Sequence, residues 1–240
     1  MSFRSAIVEA SSYRDQAVAA TKLHEDRVEE VLTSGGELDT NPEIVFHAVP
    51  SGSICFDEKV TSGRRRFPIF KTTHRRSGPH PAGQIRRAAN DDEEVISSTL
   101  LTDSGIIEAV SSDHLVRDGD FSGHTIEAGM IALSNTAQKI ASEIGDTESI
   151  FVLVSLTNMN GVSIYISDRE RPHYSGGPYQ FGSSKITPMP VELPAENSDE
   201  HETWEALSHL FNRLWSPTGV TQSPYSARDE SRVVRNAREF

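Results

Sequence analysis

Residues 150–157 read Ile-Phe-Val-Leu-Val-Ser-Leu-Thr, an almost unbroken apolar run of strand length. A half-buried strand alternates apolar and polar positions, so a strand with no polar face has to be covered on both sides. Residues 43–49 (EIVFHAV), closed by Pro50, repeat the pattern. Ile44, Phe46 and Ala48 make one face, and Val45, His47 and Val49 make the other. Both faces are largely apolar. Two such strands commit the chain to a sheet with cover on each side, and 150–157 is expected to be the central strand.

The rest of the pattern supplies partners for that sheet. From Tyr13 to Thr33, Ala17, Ala20, Leu23, Val28 and Val31–Leu32 recur at helical spacing, and Gly35–Gly36 ends the run. The stripe is narrow and alanine-rich, so this helix is expected to lean on something else. Val95–Thr102 and Ile106–Ser111 flank Asp103–Ser104–Gly105, which predicts a hairpin. Ile126–Ile144 predicts a helix, capped by Thr125 and stopped at Gly145. Asn160–Gly161 predicts a tight turn into a strand over Val162–Ser167. Lys185–Leu193 carries Pro188 and Pro190, so it reads as edge or extended chain. Asp199 and Glu202 form a capping pair ahead of Trp204, Leu207, Leu210–Phe211 and Leu214–Trp215, and Pro217 closes that helix. The predicted class is α+β: a mainly antiparallel sheet built from hairpins, with two or three helices packed on it. We divide the chain into an N-terminal helix and linker (1–36), an α+β domain (37–225) with a basic loop at 51–94, and a flexible tail (226–240).

Charge is segregated. Nine of the 23 Lys and Arg fall in residues 59–90, which contain none of the 35 Asp and Glu. The formal net charge is −12. A positive band on a negative body holds anions locally and repels them elsewhere. The window is rich in Gly, Pro and Ser, with one apolar cluster at Phe67–Pro68–Ile69–Phe70, and reads as a long loop. Asp91–Asp92–Glu93–Glu94 closes it and is placed to fold back on the arginines.

Cys55 is the one cysteine, which excludes an internal disulfide and a cysteine zinc site. That usage, with an N-terminus lacking the apolar core of a signal peptide, leads us to expect a cytoplasmic protein with no membrane association. Gly-x-Gly-x-x-Gly, Gly-x-x-x-x-Gly-Lys-Ser/Thr and Gly-x-Ser-x-Gly are missing from the sequence. No cofactor, metal or catalytic set is therefore expected.

Four segments carry a resemblance: HEDRVEEVLTSGGEL followed by VFHAVPSGS, ISSTLLTDSGIIEAVSS, SIFVLVSLTNMNGVSIYIS, and LFNRLWSPTGVTQSPYSARDE. In order and spacing, over most of residues 20–230, they resemble the C-terminal region of prokaryotic Schlafen/Alba-like DNA-binding proteins, often labelled as ATP-binding. The Alba-like nucleic-acid-binding domain of that family lies N-terminal to this region and is not expected within these 240 residues. Asp103–Ser104 stands where the family's hairpin carries an arginine. The resemblance implies an accessory domain of a nucleic-acid-associated system, with host defence as one setting.

The candidate polyanion contacts are Arg64, Arg65, Arg66, Lys71, Arg75, Arg76, Arg86 and Arg87. Arg forks onto phosphate, and Phe67, Phe70, His74 and His80 among them offer faces for unpaired bases. The plainer reading is a solvated loop balancing the acidic surface. Trp204, Phe211 and Trp215 read first as core, and otherwise as a docking face for a protein partner or a second copy of the chain. His47 and Cys55 read as packed interior residues. Three functions stay open: a non-enzymatic binding module touching DNA or RNA through residues 59–90; an assembly subunit without nucleic-acid contact; and a metal-dependent nuclease or hydrolase using Asp103, Glu108 and Glu127.

Overall fold

Strands apolar on both faces need a layer on each side, and the chain supplies both. The computed structural model describes residues 13–34, 38, 41, 43–51, 67–70, 75–112, 120–144, 148–166, 179–196 and 199–225. Among these, three helices and an antiparallel sheet of eight strands make an α+β fold. β1 (Ile44–Pro50) is buried along its whole length. In chain order there follow β2 (Arg75–His80), β3 (Gly83–Ala89), β4 (Val95–Thr102), β5 (Ile107–Ser111), β6 (Ser149–Thr157), β7 (Lys185–Ile186) and β8 (Val191–Pro194). The sheet order is β2-β3-β4-β5-β1-β6-β7, and β8 also pairs with β6.

β6 is buried throughout and has neighbours on both edges, yet it lies next to the end of the sheet. Its outer edge is shared: Leu156 and Thr157 meet β7, while Ser149–Val152 meet β8. The prolines at 188 and 190 fall in the gap between those two short strands. The centre of the sheet is held by β5 and β1, Phe46 opposite Ala109 and His47 opposite Glu108.

Helix α1 (Tyr13–Ser34) covers one face. Ala20 and Leu23 pack with Val49, Ile106, Phe151 and Leu153; Val28 and Val31 pack with Leu38, Val45 and Val110. Leu32, expected on that stripe, is 42% exposed, because residues 31 and 32 lie about 100° apart around a helix. Helices α2 (Gly123–Ile144) and α3 (Glu200–Trp215) cover the other face, where Ile44, Phe46, Ala48, Ile150, Val152 and Val154 join the main core. No helix among the described residues is long and apolar enough to cross a membrane.

The 95–111 hairpin forms as β4 and β5, with Gly105 at φ 80° in the turn, a conformation that favours glycine. The α3 capping box is complete: Asp199 accepts from the backbone of His201 and Glu202, and the Glu202 side chain accepts from the Asp199 N–H. Three expectations are corrected. The basic window is not all loop, because residues 75–89 make the β2–β3 hairpin, and β3 continues the sheet through β4. The strand expected over Val162–Ser167 is not formed by its described part, 162–166: after the Asn160–Gly161 turn, residues 163 and 164 make isolated bridges to Gln180 and Phe121, and Ser167 lies outside the described residues. Helix α2 starts at Gly123, so Thr125 sits inside its first turn rather than capping it.

The first residue of α2 is tightly packed. A Cβ on Gly123 would collide with Tyr225 Cε2 and come within 2.6 Å of Trp215 Cζ2. Both rings are buried, and overpacking of this kind costs about 1–3 kcal/mol. Gly123→Ala is expected to lower stability by that amount in urea denaturation; an unchanged midpoint would contradict the close approach. Residues 1–12 and 226–240, including the expected tail, lie outside the described residues.

Candidate functional site

Among the described residues β2 is the last strand at its end of the sheet, and two arginines face each other across the β2–β3 pair. Arg76 is the register partner of Arg87. Directly opposed residues of an antiparallel pair point to the same face with Cβ atoms about 5 Å apart, and like charges there repel. Ile85, Leu100, Glu108 and His47 continue that face by the same register, so the arginines share the α1 side of the sheet. Arg76 is largely exposed and its Nη2 lies 3.7 Å from Glu93 Oε1. Glu93 belongs to the acidic run, which does fold back. Asn90 Oδ1 accepts from the backbones of Asp92 and Glu94, and its Nδ2 donates to Glu94. An exposed pair of this kind contributes about 0.2–1 kcal/mol, so a phosphate can displace it.

The other predicted contacts divide. Arg86 alternates to the opposite face of the sheet from Arg87. It donates from Nη1 to the Phe67 carbonyl, and its guanidinium lies 5.8 Å from the Phe67 ring centre. It therefore anchors the 67–70 segment, and the two arginines do not form one strip. Phe67 and Phe70 are buried in the main core, Phe70 edge-on to Phe46, so neither offers a face to a base. His80 accepts the Ala82 N–H within its own turn. Arg64, Arg65, Arg66, Lys71, His74, Cys55 and the side chain of Arg75 lie outside the described residues.

The proposed docking face is also corrected. Phe211 and Trp215 have no exposed surface, because α3 turns them into the core against α2. Trp204 alone of the three is partly exposed, stacked on His201 at 6.0 Å.

The three carboxylates of the nuclease reading do not gather. Asp103 is exposed in the β4–β5 turn, Glu108 lies under α1, and Glu127 lies on α2 across the sheet. Glu127 accepts from Trp215 Nε1 at 2.6 Å and from the Ser223 hydroxyl, fastening the segment after α3. Among the described residues, no group of three or more His, Cys, Asp and Glu is placed to hold a metal ion.

Glu108 instead ends a buried hydrogen-bond chain that sequence reasoning missed. Arg27 of α1 forks onto it, Nε to Oε2 and Nη2 to Oε1, both at 2.8 Å. His47 Nε2 lies 3.0 Å from the same carboxylate, and His47 Nδ1 lies 2.8 Å from His24 Nδ1. His24 Nε2 reaches Ser155 Oγ at 2.9 Å, and Ser155 Oγ reaches Thr187 Oγ1 at 2.7 Å. Both histidines and Ser155 are at most 1% exposed. Burial works to raise the Glu108 carboxyl, but the His47 and Arg27 hydrogen bonds outweigh it and hold the group at about 2. Burial first, then the positive field of His47 and Lys185, holds the His24 imidazole well below the ordinary histidine value. The signal for this chain lay in α1, where His24 and Arg27 sit one turn apart beside Leu23 and Val28 on the inward stripe.

Comparison with protein-family models, curated proteins and solved structures finds no match to this chain.

Proposed function

We propose that the protein is a non-catalytic binding module that grips the phosphate backbone of a nucleic acid with its β2–β3 ribbon and the flanking basic residues. The observation that carries this reading is the Arg76–Arg87 pair. Two like charges directly opposed on an edge hairpin oppose its pairing, and an anion bridging them reverses the sign of that contribution. The pairing lies in a stretch free of Asp and Glu, on a chain otherwise strongly acidic. The motif order resembling Schlafen/Alba-like C-terminal regions supports a nucleic-acid-associated setting, with the module acting as an accessory to a larger system.

Phosphate contacts act through counterion release, so for each phosphate neutralised in duplex DNA log affinity falls by about 0.9 per tenfold rise in salt. Fluorescence anisotropy with labelled duplex and single strands, across about 50–200 mM salt, is expected to show steep, sequence-independent binding. The double variant Arg76→Ala/Arg87→Ala is expected to lower the slope by about 2, and Arg64→Ala/Arg65→Ala/Arg66→Ala by about 3. Absence of binding at about 50 mM salt would overturn the reading, since low salt favours phosphate contacts most.

A further inference from the structure

The contact between His24 and His47 has an unusual property: it joins Nδ1 to Nδ1, so only one proton can lie between the rings. The remaining partners then fix every other hydrogen. With Glu108 ionised, His47 Nε2 must donate to it. If both rings are neutral, His24 Nδ1–H donates to His47 Nδ1, Ser155 donates to His24 Nε2, and Thr187 donates to Ser155. Add one proton from solvent and the chain reverses. His47 becomes an imidazolium donating to both Glu108 and His24, His24 Nε2–H donates to Ser155, and Ser155 donates to Thr187. Every bond survives in either direction. A second proton has no place: two N–H groups would oppose each other across 2.8 Å, and two cations would sit side by side without water.

We propose that this chain is a proton-operated latch on α1, which takes up one proton by reversing its hydrogen bonds and releases the helix from the sheet on taking up the second. The elements it ties together make release local. His24 and Arg27 come from α1, His47 from β1, Glu108 from β5, Ser155 from β6, and Thr187 from the gap between β7 and β8. The charged groups facing the pair are Arg27 with Glu30 behind it on α1, Glu108 on β5, and Lys185 on β7. Once the histidines part, α1 is held by the Arg27–Glu108 fork and by the narrow stripe Ala20, Leu23, Val28 and Val31, a short list for a helix of 22 residues. Undocking uncovers Val45, Val49, Phe151 and Leu153, an apolar patch on the same face of the sheet as Arg76 and Arg87.

The direction follows from linkage. A histidine held below its ordinary value in the folded state binds its proton more readily once α1 is free. The docked state therefore loses stability as pH falls below the unfolded histidine range, until the folded value is reached. Arg27 stays charged throughout and does not titrate the latch.

Two measurements test this. Long-range proton–nitrogen NMR of the imidazoles in the unmodified chain should show His24 carrying its hydrogen on Nδ1 and His47 on Nε2 when neutral. On acidification the His24 hydrogen should move from Nδ1 to Nε2 before α1 loosens. Amide exchange in α1, expressed relative to α3, should lose about tenfold or more protection between pH 7 and 4.5. His24→Gln, which keeps a donor and an acceptor but does not titrate, should remove that difference. A His24 hydrogen that stays on Nδ1 while α1 loosens, or protection lost equally in α1 and α3, would overturn the latch; the NMR arm stands even where the variant fails to fold.

Discussion

Glu108→Gln is expected to lower the unfolding free energy by about 3 kcal/mol, the scale for removing one partner of a buried ion pair. The substitution is nearly isosteric, so packing hardly changes. What changes is that Arg27 and His47 lose the charge that both of them contact. For a chain of this size, each kcal/mol moves Tm by about 2–4 °C, giving a drop of about 6–12 °C. The pH dependence carries a sign. Folding holds the Glu108 carboxyl at about 2, below the ordinary value of 4.5. Its contribution is therefore fully present above pH 4.5 and is lost as pH falls toward 2. The gap between the two proteins should narrow over that interval in scanning calorimetry. A difference under about 1 kcal/mol at neutral pH would mean that the pair contributes as little as an exposed one.

The second large effect belongs to Trp215. Its ring is fully buried and meets Phe121 and Phe181 at 6.3 Å and Tyr225 at 5.5 Å. Trp→Ala in a core costs about 3–5 kcal/mol, and here the Glu127 carboxylate also loses an N–H donor, worth about 1–3 kcal/mol more. Trp215→Ala should therefore remove about 5 kcal/mol, enough to unfold a protein of ordinary stability at room temperature. Trp215→Phe keeps most of the ring and removes the donor, and is expected to cost about 2 kcal/mol. Urea denaturation separates this from a docking role. A residue that merely waited for a partner would leave the midpoint unchanged when truncated.

These two residues illustrate different kinds of legibility. Trp215 stands in a stripe at helical spacing behind a capping pair, so its inward orientation follows from α3 itself. Glu108 reads in sequence as one acid in a hairpin strand. Its role depends on Arg27, 81 residues away, and on His47, 61 residues away, which no local pattern links. The β2 strand is a similar case: Arg-Arg-Ser-Gly-Pro-His has no apolar alternation, and it extends only because β3 offers it an edge. Phe67 and Phe70 stand among cations in the sequence and are drawn into the core by the α2 face of the sheet.

The sequence by itself determined the elements whose reason is local: the covered strands β1 and β6, the β4–β5 hairpin, the three helices, and the division into a basic stretch and an acidic remainder. Period, capping and turn chemistry act over a few residues, so they can be read along the chain. Only the tertiary structure decided which strands neighbour each other, that Arg86 and Arg87 face opposite sides, that three candidate carboxylates lie apart, and that two histidines meet through one nitrogen each. Those outcomes depend on register and packing between distant segments, where a shift of one residue turns a side chain from one face of the sheet to the other.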